Sequence, residues 1–302
     1  MRTQFCDAMV ARVGSHRLVF MTGDLGFMAL EPLQAILGEY FINAGVAEQN
    51  MMSVAAAMVR QGIETWAYTI APFCYARPFE QIRNDITFHG LPVKLVGNGG
   101  GYGYGVQGPT HHAIEDYGVL LTLPGMSVYV PVFDEDLAAV IPLIGQENGP
   151  TYLRLGRGEA PKGFCVQEYS PWRHLVSGKG KTVIAVGPLA GSYIAALNDL
   201  PDTVRPNLWA VSELPLSKHE IPNLLMAQIT SGLGLCVAEE HVARGGFGAE
   251  LALFLAELGV RIGGFTHLCA RKHLYDVYGS QEFLRRRAGI HPEDILAWLK
   301  AG

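Results

Sequence analysis

The sequence has little of what marks a chain that binds polyanions, metals or membranes. Charged residues make up only 17% of its 302 positions and the formal net charge is −5, against about a quarter charged in ordinary soluble domains. Arg285, Arg286 and Arg287 form its one basic run, so an electrostatic footprint for nucleic acid or an anionic membrane surface is missing. The five cysteines, Cys6, Cys74, Cys165, Cys236 and Cys269, are scattered and include no CxxC pair. That excludes the usual zinc and dithiol spacings and suits a reducing cytoplasm. No uninterrupted apolar run approaches the ~18 residues of a membrane span. The start, MRTQFCDAMVARVG, lacks the basic and apolar regions of a secretory signal. The expectation is a cytoplasmic protein whose partners are small molecules or other proteins, with no nucleic acid and no membrane.

What is present is enough apolar material, 49% of the chain, for a large core and about two domains of ~150 residues. Short β-branched or apolar runs alternate with helical stretches: RLVFMTGD, a helix over 46–60 ended by Gly62, ETWAYT, a helix over 79–88, and PVKLVG. A helix over 115–123, MSVYVP, a helix after Asp134 and TYLRL continue the series. This βαβα order predicts an α/β fold with mostly parallel sheets flanked by helices. Around 156–178 the order lapses into a stretch rich in Gly, Pro and charge, and KTVIAVG then restarts it. The domains are expected at 1–162 and 179–302 with a linker at 163–178. The second should hold the smaller sheet, with strands at 182–186, 204–210, 233–238 and 260–265 and a last helix, PEDILAWLK.

Three stretches hold candidate chemistry. In FINAGVAEQNMM, Glu48 heads a run otherwise made of small and apolar side chains. An acid in the first turn of a helix can serve the helix dipole or cap free N–H groups. A carboxyl among Val46, Ala47, Met51 and Met52 would also be poorly solvated, with its pKa raised and able to share a proton with a ligand nitrogen. The second stretch is the loop GNGGGYGYGVQGPTHH at 97–112. It is too long before its helix for a dinucleotide-binding turn, so its glycines are read as letting backbone approach a ligand. His111 and His112 follow at the carboxyl end of an expected strand, where open α/β sheets bind ligands, and at most one of them can face the site. In the third, APFCYARPFEQ, Phe73, Tyr75 and Phe79 lie close together, as core or as a stacking face for a flat ring.

Together, GVAEQNM, PFCYARPFEQIRND and QGPTHHAIEDYGVLLTLPGMSVYVP resemble, in order, the pyrimidine-binding domain of thiamine-diphosphate-dependent transketolases. VAEEHVARGGFGAELALFL resembles the start of that family's C-terminal domain. The resemblance implies that Glu48 hydrogen-bonds a ring nitrogen of the cofactor's aminopyrimidine, and that Phe73, or else Tyr75, stacks on that ring. It implies that His111 contacts substrate near the reacting carbons, that Arg157 and Arg2 bind acceptor phosphate, and that Asp24 lies near the thiazolium. Two positions depart from the family: Gln107 stands where an acid reads a donor hydroxyl, and Gly99 where there is a further histidine, so donor preference is expected to differ.

The family's diphosphate-binding domain carries a GDG motif, which this sequence lacks. The resemblance therefore implies the C-terminal subunit of a split transketolase, moving a two-carbon ketol unit from a ketose to an aldose, with a natural start at Arg2. An N-terminal subunit would hold Mg²⁺ (or Ca²⁺) and the diphosphate, in an α2β2 heterotetramer acting on sugars or sugar phosphates. The alternatives are a 2-oxo acid dehydrogenase β subunit or related 2-oxo acid/aldehyde synthase, and a non-catalytic binding module.

Overall fold

The computed structural model describes residues 1–14 and 16–301. Among these residues the first half of the chain supplies β1 Leu18–Thr22, β2 Phe41–Asn43, β3 Glu64–Ile70, β4 Lys94–Asn98, β5 Ser127–Tyr129 and β6 Thr151–Leu155. The second half supplies β7 Trp172–Val176, β8 Thr182–Val186, β9 Asn207–Val211, β10 Glu213–Leu214, β11 Leu235–Glu239 and β12 Phe265–Cys269. They form a seven-stranded sheet in the order β10-β5-β6-β4-β3-β1-β2 and a five-stranded sheet in the order β12-β11-β8-β9-β7. Pairing is parallel except where β10 meets β5 and β7 meets β9. Strands β1, β4, β6, β8, β9 and β11 are buried at every position. Such strands need apolar side chains on both faces, which is why they read as continuous runs such as LVFMT and TVIAV. No helix among the described residues is long and apolar enough to cross a membrane.

Several expected elements differ from those observed. The stretch expected as linker contains β7, which joins the second sheet antiparallel to β9. The strand expected at 260–265 lies at Phe265–Cys269. Gly263 passes so close to the backbone that a Cβ there would sit 1.9 Å from the Gly232 carbonyl oxygen, so the ladder begins only beyond the glycine pair. The helix expected over 79–88 is a short α turn at Phe79–Gln81 followed by a π turn at Ile82–Ile86.

The two halves are joined rather than tethered. Strand β10 from the second half closes one edge of the first sheet, and one apolar cluster runs from Tyr117, Leu120 and Val128 to Trp172, Val211 and Phe247. Buried charge spans the same seam. Arg154 donates to the Asp116 carboxylate at 2.8 Å, to the Ala113 carbonyl at 2.8 Å and to the Glu240 carbonyl at 3.0 Å. Glu239, fully buried on β11, accepts from the Tyr117 hydroxyl, from the Phe247 and Gly248 amides and from His267. These bonds fix the second half against the segment that follows β4, which holds the candidate site.

Candidate functional site

Because β1, β2, β3, β4 and β6 run parallel, their carboxyl ends share one edge of the first sheet, the edge at which open α/β sheets bind ligands. Asp24 follows β1, Glu48 begins the helix Glu48–Arg60 after β2, and Phe73 lies in the short helix Ala71–Tyr75 after β3. The 99–112 loop follows β4 and Arg157 follows β6. The loop is closed at its base by reciprocal bonds between Gly101 and Ala113, 2.9 and 2.8 Å. Gly101 has a φ of +63°, and a Cβ there would lie 2.6 Å from the Glu240 carboxyl carbon. A glycine at this position therefore answers to close approach by the second half, which also accepts the Tyr102 amide on Glu240 at 2.7 Å.

Glu48 is only 4% exposed. It is not a cap: Ala47 precedes the helix and no side-chain cap bond is made. Its carboxylate instead accepts from Arg77 Nη1 at 3.0 and 3.1 Å, and from Thr69 Oγ1 at 3.5 Å. The Arg77 guanidinium lies over the Phe73 ring, 3.8 Å from its centroid. The His111 ring meets Phe73 edge-on at 5.2 Å. A buried carboxylate, an aromatic face and an imidazole thus surround one flat, nitrogen-bearing group. A slot that holds a guanidinium in this way has the hydrogen-bond acceptor and the stacking face that an aminopyrimidine needs, so the residues present fit thiamine diphosphate at its ring end.

Burial and the positive charge of Arg77 both hold the His111 imidazole below the usual histidine pKa, so it is neutral near pH 7. Titrated by NMR, its midpoint should lie below the ordinary 6.5 and move up in Arg77→Ala. A midpoint indifferent to that substitution would contradict the contact. His112 points the other way, buried against Tyr102 with 5.1 Å between the rings, and burial lowers its pKa too.

From His111 the site continues through Tyr104, 6.4 Å away ring to ring, into a cavity of about 410 Å³ lined by Arg2, Asn98, Gly99, Tyr104 and Arg157. The Arg157 guanidinium makes no hydrogen bond or ion pair among the described residues, while Arg2 donates to the Phe27 carbonyl at 3.1 Å. Gly99 has a φ of +78°, and a Cβ there would sit 2.2 Å from the Tyr104 ring. Tyr104, anchored by Asn98 Nδ2 at 2.6 Å, thus fills the space a side chain at 99 would take.

Three expected site residues lie apart from this line. Tyr75, the second choice for stacking, is buried in the core and its hydroxyl donates to Glu115 at 2.9 Å, because two residues of helix after Phe73 point it to the opposite side. Asp24, at a φ of +57° and accepting from Asn43 at 2.8 Å, borders a separate hollow of about 240 Å³. Gln107 is exposed on the loop, and its side chain makes no hydrogen bond among the described residues. Sequence reasoning missed Arg77 and Tyr104. For Arg77 the nearness to Phe73 in sequence could have suggested a cation over the ring, but nothing local pointed to Glu48.

Known proteins resemble this chain over much of its length. The family described as transketolase, pyrimidine binding domain, matches residues 13–162. A Methanocaldococcus jannaschii protein named putative transketolase C-terminal section is 33% identical over 80% of this chain and 75% of its own. One of the subunits of the apulose-4-phosphate transketolase of Phocaeicola vulgatus is 28% identical over 87% of this chain and 86% of its own. A solved structure titled split gene transketolase, inactive beta4 tetramer, superposes with a TM-score of 0.81 at 28% identity, covering 99% of this chain and 96% of that one. Other relatives are much longer, and the chain spans only 40–41% of two of them. With the slot at the sheet edge and relatives matched nearly end to end, the chain belongs to the transketolase family, as a C-terminal subunit of the split form.

Proposed function

We propose that this chain works with a separate diphosphate-binding subunit, in an α2β2 heterotetramer, to transfer a two-carbon ketol unit from a ketose donor to an aldose acceptor. The observation behind this reading is the buried Glu48 carboxylate facing a planar N–H group stacked on Phe73. Thiamine diphosphate, when bound, supplies the electron sink for breaking and remaking the bond beside a ketone. Glu48, itself 4% exposed, would hold the ring nitrogen and a shared proton, and Phe73 would fix the plane of the ring. His111, neutral and half-buried, would exchange a proton with a substrate oxygen.

Mg²⁺ (or Ca²⁺) and the diphosphate are assigned chiefly to the partner. Among the described residues no group of three His, Cys, Asp or Glu could hold a metal. Exposed Phe27, Met28 and Val46 beside the site offer that partner an apolar surface. Asp24, bordering the hollow after β1, would face the partner's side of the cofactor. The five cysteines are all free, which suits a cytoplasmic location. The named relatives do not favour a 2-oxo acid dehydrogenase subunit.

Arg157 and Arg2 would bind an anionic group on the acceptor, a planar fork of donors suiting phosphate or sulfonate oxygens. By name, two relatives act on apulose-4-phosphate and on the ketose 6-deoxy-6-sulfo-D-fructose; these are anionic sugars, and a fructose stands on the donor side, so the names support an anionic substrate without assigning the group to the acceptor. Arg157→Ala should lower kcat/KM for a phosphorylated acceptor about tenfold or more, the scale of one charge-assisted bond, and leave a neutral acceptor nearly unchanged. An equal loss on both would remove the assignment. Gln107 would read a donor hydroxyl, and Gln107→Asp should reorder a panel of ketose donors; an unchanged ranking would exclude it.

A further inference from the structure

The group lying in the Glu48–Phe73 slot belongs to the chain itself. Arg77 Nη1 is within 3.1 Å of both Glu48 carboxylate oxygens, and its guanidinium plane covers the face of Phe73. These are the two surfaces that an incoming aminopyrimidine would use, and the guanidinium already occupies both. We infer that Arg77 is an internal occupant of the ring slot, which the cofactor's aminopyrimidine must displace, so that Arg77 sets the affinity of the site for that ring.

Physical reasons favour such an occupant. A carboxylate 4% exposed and left without a partner would be costly in the free subunit, and the guanidinium removes that cost while presenting a flat group to Phe73. Arg77 can also leave. Its side chain is 44% exposed against 4% for Glu48, so it stands at the mouth of the slot with solvent on one side, where it can re-hydrate once the ring enters. A lysine there could neutralise Glu48 but could not lie flat on Phe73.

This inference rests on the reading that the slot takes the pyrimidine ring, and the experiment separates the two. Ligand-observed NMR on the full chain measures binding of the isolated hydroxymethyl aminopyrimidine of thiamine, a probe that needs neither diphosphate nor metal. The variants are wild type, Arg77→Ala, Arg77→Lys, Phe73→Ala and Glu48→Gln, with amide spectra showing which are folded. Arg77→Ala should bind the ring about tenfold more tightly than wild type, the scale of removing one charge-assisted, stacked competitor. Arg77→Lys should lie between them, and Phe73→Ala and Glu48→Gln should bind more weakly than wild type. Since Arg77→Lys keeps a cation beside Glu48, it answers the question even if Arg77→Ala does not fold. Binding that depends on Glu48 yet is equal or weaker in both Arg77 variants would overturn the displacement and leave the slot. Binding that no Glu48 or Phe73 change affects would overturn the slot and the displacement with it.

Discussion

Glu48→Gln should lower ketol transfer by the assembled enzyme about a hundredfold or more, the usual scale for losing a positioned acid or base, while the chain folds and assembles nearly as before. The reasoning begins with what Glu48 does not do. It makes no capping bond, and as a dipole partner in the first turn it is worth under ~1 kcal/mol. Its oxygens are turned to Arg77 and Thr69, so its removal spares the helix. Gln keeps the shape and can still accept from Arg77 but cannot share a proton with a ring nitrogen. Turnover and a melting curve on the same preparation decide the matter. A variant that melts much earlier yet turns over normally once folded would return Glu48 to a structural role.

Asp116→Ala should cost about 3–5 kcal/mol of folding free energy, as expected when one partner of a buried ion pair is removed and the other stays buried. Asp116 is fully buried and Arg154 is 5% exposed. Without Asp116 the guanidinium keeps, among the described residues, two carbonyl acceptors, Ala113 and Glu240, and the Tyr152 hydroxyl loses its acceptor at 2.9 Å. Because Ala113 closes the base of the 99–112 loop and Glu240 belongs to the second half, the substitution should also loosen the loop that holds His111. Denaturant unfolding measures the loss; a cost below ~1 kcal/mol, typical of exposed pairs, would mean that the pair is not holding the seam.

The parts of the fold legible in the sequence are those whose burial is two-sided. Runs such as KLVGN and LCVAE must be strands covered on both faces, and they are. Strand β2, at an edge with two half-buried residues and one exposed, and β10, two residues whose partner is β5, carry no such signal. Strand β7 was hidden because its polar surroundings read as linker and its pairing with β9 lies more than thirty residues away. The same division runs through the site. Glu48, Phe73 and His111 were legible because each follows a strand end in a distinctive local context, and the structure brings them together. Arg77 was not, since its partner Glu48 lies 29 residues away and only the fold makes them neighbours. Phe73 stood ahead of Tyr75 in the sequence as the stacking residue, and the short helix turns Phe73 to Arg77 and Tyr75 to the core.

The most direct test of the split-subunit reading is calorimetric titration of thiamine diphosphate and Mg²⁺ into the isolated chain. A slot for the ring without a metal site for the diphosphate leaves the charged end of the cofactor uncompensated. The expected result is binding too weak to saturate, becoming tight and metal-dependent when a diphosphate-binding subunit is added. Tight, metal-dependent binding by the chain alone would contradict it.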